Sequence, residues 1–114
     1  MNWNWNETSI TLAYTPENLK DLLNKVCNKE NSFSQFDFSK WCDNLTMFFD
    51  DDEREELNEF ETLATWVATD IEAQWDLFLI NTYSSKILQD LDLTKVELPH
   101  QWWIQWSEEM NEAL

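Results

Sequence analysis

The stretch that decides the fold runs from Leu57 to Phe78 and reads LNEFETLATWVATDIEAQWDLF. Its apolar residues recur at steps of three and four, which is the spacing of one face of an α-helix. They are Leu57, Phe60, Leu63, Ala64, Val67, Ala68, Ile71, Trp75 and Phe78. The run starts beside a cluster of carboxylates, which stabilise a helix N-terminus. The sequence therefore predicts a long amphipathic helix that begins within this acidic cluster.

Similar patterns predict helices on both sides of this stretch. Thr15-Pro16-Glu17 combines an N-cap residue, a proline suited to the first helical position and an acid that complements the helix dipole. The helix that follows has an apolar stripe of Leu19, Leu22, Leu23, Val26 and Cys27. A second helix, over about 35–49, is expected to direct into the core Phe36, Trp41, Cys42, Leu45, Phe48 and Phe49. A last helix starts at Pro99 and carries on one face Trp102, Trp103, Trp106, Met110 and Ala113.

Two segments leave a small β element open. Ile10, Leu12 and Tyr14 alternate with polar residues, and the short apolar run at 75–83 is compatible with either a buried strand or a helix. The chain contains no glycine, however, and tight hairpins favour Asn-Gly or Asp-Gly. We expect residues 1–114 to form a single acidic domain, mostly α, built as a small bundle of four to five helices. A minor two-stranded β element, making the fold α+β, is the alternative.

The negative charge is concentrated in the later part of the chain. The formal net charge is −16 and the isoelectric point about 4.1. Residues 1–29 carry three acids and three lysines, so residues 30–114 account for the whole excess. Such a field repels nucleic acid and anionic membranes, and it attracts basic protein surfaces. Since the start of the chain has no pattern of a secretory signal and no segment reads as a membrane span, we expect a cytoplasmic protein.

The residue types that usually carry catalysis are missing or isolated. Without glycine the chain cannot form phosphate-binding loops, nucleophile elbows or an EF-hand loop, so the acids at 50–53 do not indicate a calcium site. His100 is the only histidine, and Cys27 and Cys42 lack the spacing of a metal-binding pair. We therefore expect no enzyme activity, no metal site and no cofactor.

The helical wheel of the deciding stretch points to a binding surface. Glu55, Glu59, Trp66 and Asp70 fall opposite its apolar arc, and Trp is a favoured anchor of protein interfaces. The predicted partner-binding residues are Asp50, Asp51, Asp52, Glu53, Glu55, Glu56, Glu59, Trp66 and Asp70. In one alternative, this helix is packed on two sides and Trp66 belongs to the core. In a separate alternative, the acids at 50–61 form only a solvated helix start. The count of eight Trp, most of which must be packed, favours the alternative for Trp66.

In size, charge and composition, but in no residue motif, the chain resembles phage-encoded DNA mimics, such as anti-restriction and anti-CRISPR proteins, and small acidic bacterial immunity proteins. The first resemblance implies an inhibitor that occupies the nucleic-acid site of a basic nuclease or DNA-binding effector. The second implies an immunity protein or antitoxin that neutralises a cognate toxin. A structural adaptor that binds through its Trp-rich surface is a third hypothesis. Under each hypothesis we expect a protein partner, which is basic in the first two, and no binding to nucleic acid or membranes. A homodimer formed through exposed aromatic residues stays open.

Overall fold

The structure is a computed structural model that describes residues 8–50 and 56–112, without the side chain of Asp50. In these residues it contains five α-helices and one 3₁₀ turn. They are α1 (Pro16–Cys27), α2 (Gln35–Asp50), α3 (Glu59–Thr82), α4 (Ser85–Asp90), the 3₁₀ turn Leu93–Lys95 and α5 (His100–Glu112). The predicted mostly α class and the number of helices are confirmed.

The helices begin at residues whose chemistry is readable in the sequence. Thr15 caps α1 by accepting a hydrogen bond from the backbone N–H of Asn18 at 3.1 Å. Asn58 caps α3 by accepting from the N–H of Glu61 at 2.7 Å, and the Glu61 carboxylate accepts from the N–H of Asn58 at 3.0 Å. This reciprocal pair is a capping box. It fixes the start of α3 at Glu59, and α5 begins at His100, directly after Pro99.

The residues proposed as strands do not form a sheet. No β-strand occurs within residues 8–50 or 56–112, and 75–82 continue α3. The segment 8–14 instead lies against α2 through side-chain contacts. The indole Nε1 of Trp41 donates to the carbonyl of Leu12 at 3.1 Å, and the ring of Tyr14 lies 5.4 Å from that of Trp41. These contacts attach the segment to α2 without pairing it to another strand. The α+β alternative is therefore wrong for the described residues.

The core is an aromatic layer shared by α2, α3 and α5. Phe38, Trp41 and Trp103 are fully buried. Phe38 stacks on Trp103 with ring centroids 5.7 Å apart, and Phe36 of α2 stacks on Trp75 of α3 at 5.9 Å. Large apolar side chains buried in this way supply most of the stability of a small domain. The layer therefore fixes one face of α3 against the rest of the bundle.

The α1–α5 contact completes the bundle with polar as well as apolar contacts. Leu19, Leu22 and Leu23 of α1 are buried in the same core as Met110 of α5. At the edge of this contact the hydroxyl of Ser107 donates to the side-chain oxygen of Asn24 at 2.7 Å. This hydrogen bond holds α5 in register beside α1.

Two predicted core positions, Phe48 and Ala113, are not found in the described core. Phe48 is wrong as a core residue, because 45% of it is exposed. Its ring instead packs at the surface, 6.1 Å from that of Tyr14. Ala113 lies outside the described residues.

Replacing Trp41 by Phe tests the attachment of the N-terminal segment. The substitution leaves the carbonyl of Leu12 without its donor, which we expect to lower the free energy of unfolding by about 1–3 kcal/mol. Urea unfolding measures that loss, and hydrogen exchange should quicken at residues 10–14. Trp66→Phe is the control, because Trp66 is not part of the core. Wild-type stability and exchange in Trp41→Phe would contradict the role given to this hydrogen bond.

Candidate functional site

Helix α3 has two opposite faces. The face turned into the bundle buries Ala64, Val67, Ala68, Ile71 and Trp75. The opposite face, called the outward face here, is exposed and consists of Glu59, Thr62, Trp66, Thr69, Asp70, Ala73, Leu77 and Ile80. It follows the same helical period, about half a turn away from the buried residues. The outward face is the surface on which the predicted binding residues of α3 lie.

Trp66 is the most exposed of the large apolar side chains in the described residues, at 75%. The alternative that placed Trp66 in the core is therefore wrong, because other aromatic residues fill the core beneath α3. Beside Trp66 lies an open groove of about 800 Å³ lined by residues of α3 that include Leu63, Asp70 and Ala73, and by Glu109 of α5. A large ring next to a groove and carboxylates can act as an anchor for another protein.

The predicted binding residues fall into two groups. Glu59, Trp66 and Asp70 are brought together on the outward face of α3, and Glu56 is exposed just before the helix. Asp51, Asp52, Glu53 and Glu55 lie outside the described residues, as does the side chain of Asp50. Participation of all nine residues in partner binding stays a prediction.

Asp70 also has a structural contact. Its Oδ2 accepts a hydrogen bond from the indole Nε1 of Trp106 at 2.8 Å, which joins α3 to α5. A hydrogen bond to an ionised group is stronger than one between neutral groups. The bond orients the Asp70 carboxylate at the edge of the groove, and it makes Asp70 a poor choice for a charge-reversal experiment. The residues are 36 positions apart, so no local pattern in the sequence indicates the contact.

One acidic edge of the outward face is shared with α5. We call it the α5 edge, and it contains Asp70, Glu109 and Glu112. Burial, and then the negative charges of Asp70 and Glu112, raise the pKa of Glu109 above its usual value. The shift shows that these carboxylates are close enough to repel one another. Sequence reasoning missed Glu109, because only the packing of α5 on α3 places it beside Trp66.

The other acidic edge is shared with α2. We call it the α2 edge, and it contains Asp43, Glu72 and Asp76. Burial raises the pKa of Glu72 to about 7, helped by the negative charge of Asp43, a hydrogen bond with Asp43 and the charge of Asp76. At about 100° per residue, Asp70 lies about 40° to one side of Trp66, and Asp76 lies about 80° to the other. The exposed apolar residues of α3 are thus bordered by carboxylates on both sides.

Described cations do not neutralise these edges. Between residues of the described ranges there is one ion pair, in which Lys25 Nζ lies 3.5 Å from Asp21 of the same helix. No described lysine is therefore paired with Asp70, Asp76 or Glu109. The lysines at 20, 25 and 29 instead belong to the part of the chain that is neutral by composition.

No protein-family model matches the chain, and no curated protein or solved structure matches it. Among the helices that the structure describes, none combines the length and apolar character needed to cross a membrane. Within residues 8–50 and 56–112, no group of three His, Cys, Asp or Glu side chains is arranged to hold a metal ion. The geometry shows an acidic surface on α3 that carries an exposed aromatic residue, Trp66.

Glu72→Gln tests whether the ionised carboxylate of Glu72 destabilises the fold at the α2 edge. A folded-state pKa of about 7, raised from 4.5, means that the fold favours the protonated acid. This contribution to stability is fully present below about pH 4.5 and is lost as the pH rises through about 7. The free energy of unfolding of the wild type should therefore fall between about pH 5.5 and pH 8, and Glu72→Gln should reduce that fall and be the more stable protein at pH 8.

The measurement is urea unfolding at several pH values. Glu30→Gln removes the same charge from an exposed loop position and should keep the wild-type dependence. If both variants changed the pH dependence equally, the effect would come from overall charge and not from the α2 edge.

Proposed function

We propose that the protein is a non-catalytic acidic binding protein that inhibits a basic, nucleic-acid-binding protein by occupying its nucleic-acid site. The observation that carries the proposal is the exposed Trp66 on a regular helix whose two edges are acidic. A nuclease or DNA-binding effector of phage defence is the kind of partner that such a surface would inhibit.

Charge supports the proposal in two ways. A net charge of −16 accelerates encounter with a cationic surface and slows encounter with nucleic acid itself. Glu108 and Glu112, both exposed, are four residues apart in α5. Such pairs lie about 6 Å apart along a helix axis, of the same order as neighbouring phosphates on one strand. Rigid helices can therefore present carboxylates where a nucleic-acid site expects phosphates.

Trp66 would add contacts that phosphates do not provide. The guanidinium of an arginine can stack on an indole ring while it pairs with a nearby carboxylate. On the α5 edge, Asp70 and Glu109 line the same groove as the ring of Trp66. A phosphate-binding arginine of the partner could thus meet both kinds of group at once.

A second candidate function has its own supporting observation. Leu77 and Ile80 continue the outward face beyond Trp66 and are 48% and 67% exposed. Phosphate mimicry has no use for these side chains, whereas an immunity protein or antitoxin that covers a toxin through a packed interface would use them. The adaptor hypothesis has less support, because Trp103 and Trp106 of the C-terminal Trp cluster are buried.

Reversing three charges on or beside the outward face of α3 tests the inhibitor proposal. The tagged full chain, or its Glu59→Lys/Asp76→Lys/Glu109→Lys variant, is used to capture proteins from the native host at about 50 mM and about 500 mM salt. We expect the wild type to capture a basic nucleic-acid-binding protein at low salt, and duplex DNA or RNA to displace it. The triple variant should lose the capture, because steering and pairing both depend on these charges.

The control is Glu30→Lys/Asp90→Lys/Glu97→Lys, which makes the same change in net charge at exposed positions outside α3. It should retain most of the binding. Capture that survives saturating nucleic acid would contradict occupation of the nucleic-acid site. If, in addition, Trp66→Ala weakened binding more than the triple reversal did, the immunity function would take its place.

A further inference from the structure

The outward face of α3 carries an exposed apolar seam. It consists of Trp66, Ala73, Leu77 and Ile80, which follow one another at steps of seven, four and three residues. Leu77 and Ile80 are 48% and 67% exposed, and Trp66 at the other end is 75% exposed. The seam extends over about 21 Å of helix, at 1.5 Å per residue. The spacing is that of a helix surface that packs against a second helix.

We propose that this seam is the docking surface for one amphipathic α-helix of the partner protein, with an apolar stripe bordered on both sides by Lys or Arg. The inference rests on the proposed function, since it assumes a protein partner, and it adds the structure and chemistry of the segment that is recognised.

The shape of the seam favours a helix over an extended segment. Anchor residues of a docked helix recur at steps of three, four and seven, and the seam residues follow one another at these steps. Ala73 lies in the middle, where its small side chain lets another helix approach closely. The groove beside Trp66, which Leu63 and Ala73 help to line, can accept a large apolar side chain at one end of the contact.

The charges next to the seam define the borders of the partner helix. On one side lie Asp70 and Glu109, which share the groove beside Trp66. On the other side lies Asp76, which repels the carboxylate of Glu72 on the α2 edge. A helix placed on the seam brings both of its flanks close to carboxylates. Cationic residues on both flanks would relieve the repulsion within each edge, whereas acidic flanks would add to it.

The same charges disfavour a second copy of this chain as the occupant. In an antiparallel pair of α3 helices packed through this seam, the flank with Asp70 would lie along the Asp70 flank of the other copy, and the flank with Asp76 along its Asp76 flank. In a parallel pair the flank with Asp70 would lie along the Asp76 flank of the other copy. Both arrangements juxtapose like charges between chains of net charge −16. A basic helix is the occupant that fits both the apolar and the charged residues.

Binding of designed peptides to the full chain tests the proposal. The probe is a fluorescein-labelled peptide of about 18 residues, long enough to cover the seam. It carries Leu at helical steps of three and four and Lys at the flanking positions. A second peptide has the same composition in scrambled order, and a third has Glu in place of Lys. We expect the ordered Lys peptide to bind about tenfold more tightly than the scrambled one, and the Glu peptide not to bind.

A matched pair of variants locates the binding site. Ile80→Asp should weaken binding of the ordered Lys peptide by about tenfold, because it places a charge within the apolar contact. Ile104→Asp makes the same change at an exposed position of α5 outside the seam and should bind like the wild type. Circular dichroism verifies that both variants are folded, and their exposed positions make loss of the fold unexpected.

Three results would overturn the proposal. Equal affinity for the ordered and scrambled peptides would show attraction by charge alone, and it would leave the proposed function standing. Equal binding by Ile80→Asp and Ile104→Asp would place the helix elsewhere. Sedimentation of the wild type as a dimer that Ile80→Asp converts to a monomer would make a second copy the occupant. Failure of the proposed function is separate, since it depends on displacement of the captured partner by nucleic acid.

Discussion

The structure depends on one constraint, which is that α3 carries apolar residues on two opposite faces while the bundle covers only one of them. The covered face supplies Ile71 and Trp75 to the aromatic core. The other face leaves Trp66, Leu77 and Ile80 exposed to water. Burying these side chains against another surface would be favourable. Contiguous apolar surface bordered by polar groups is typical of interaction sites.

The acidic edges add a second unfavourable contribution on both sides of the same face of α3. Desolvation and neighbouring carboxylates raise the pKa values of Glu72 on one edge and Glu109 on the other, so both groups are less stable as anions here than in water. A solubilising surface needs only a modest net charge and no such crowding. Binding of a cationic and partly apolar surface, as proposed, would relieve both the repulsion and the apolar exposure.

Local signals made much of this predictable. Thr15, Pro16 and Pro99 mark helix starts through caps and fixed backbone angles, and periodicity placed Trp66 opposite the buried arc of α3. The other features of the structure depend on which segments pack against one another in the folded chain. Nothing near Glu109 in the chain indicates that it lies beside Trp66, and nothing near Leu12 indicates that Trp41 binds its carbonyl. The apolar end of the outward face was also missed, because the run at 75–83 fits a buried strand as well as a helix.

Hydroxyl-radical footprinting of the full chain, read residue by residue by mass spectrometry, tests most directly whether this face of α3 is uncovered. The account predicts rapid oxidation of Trp66 and Ile80, and slow oxidation of Trp41 and Trp103, which are fully buried. Addition of the partner should protect Trp66 and Ile80 and leave the buried residues unchanged. Protection of Trp66 in the isolated monomer to the level of Trp103 would contradict the account.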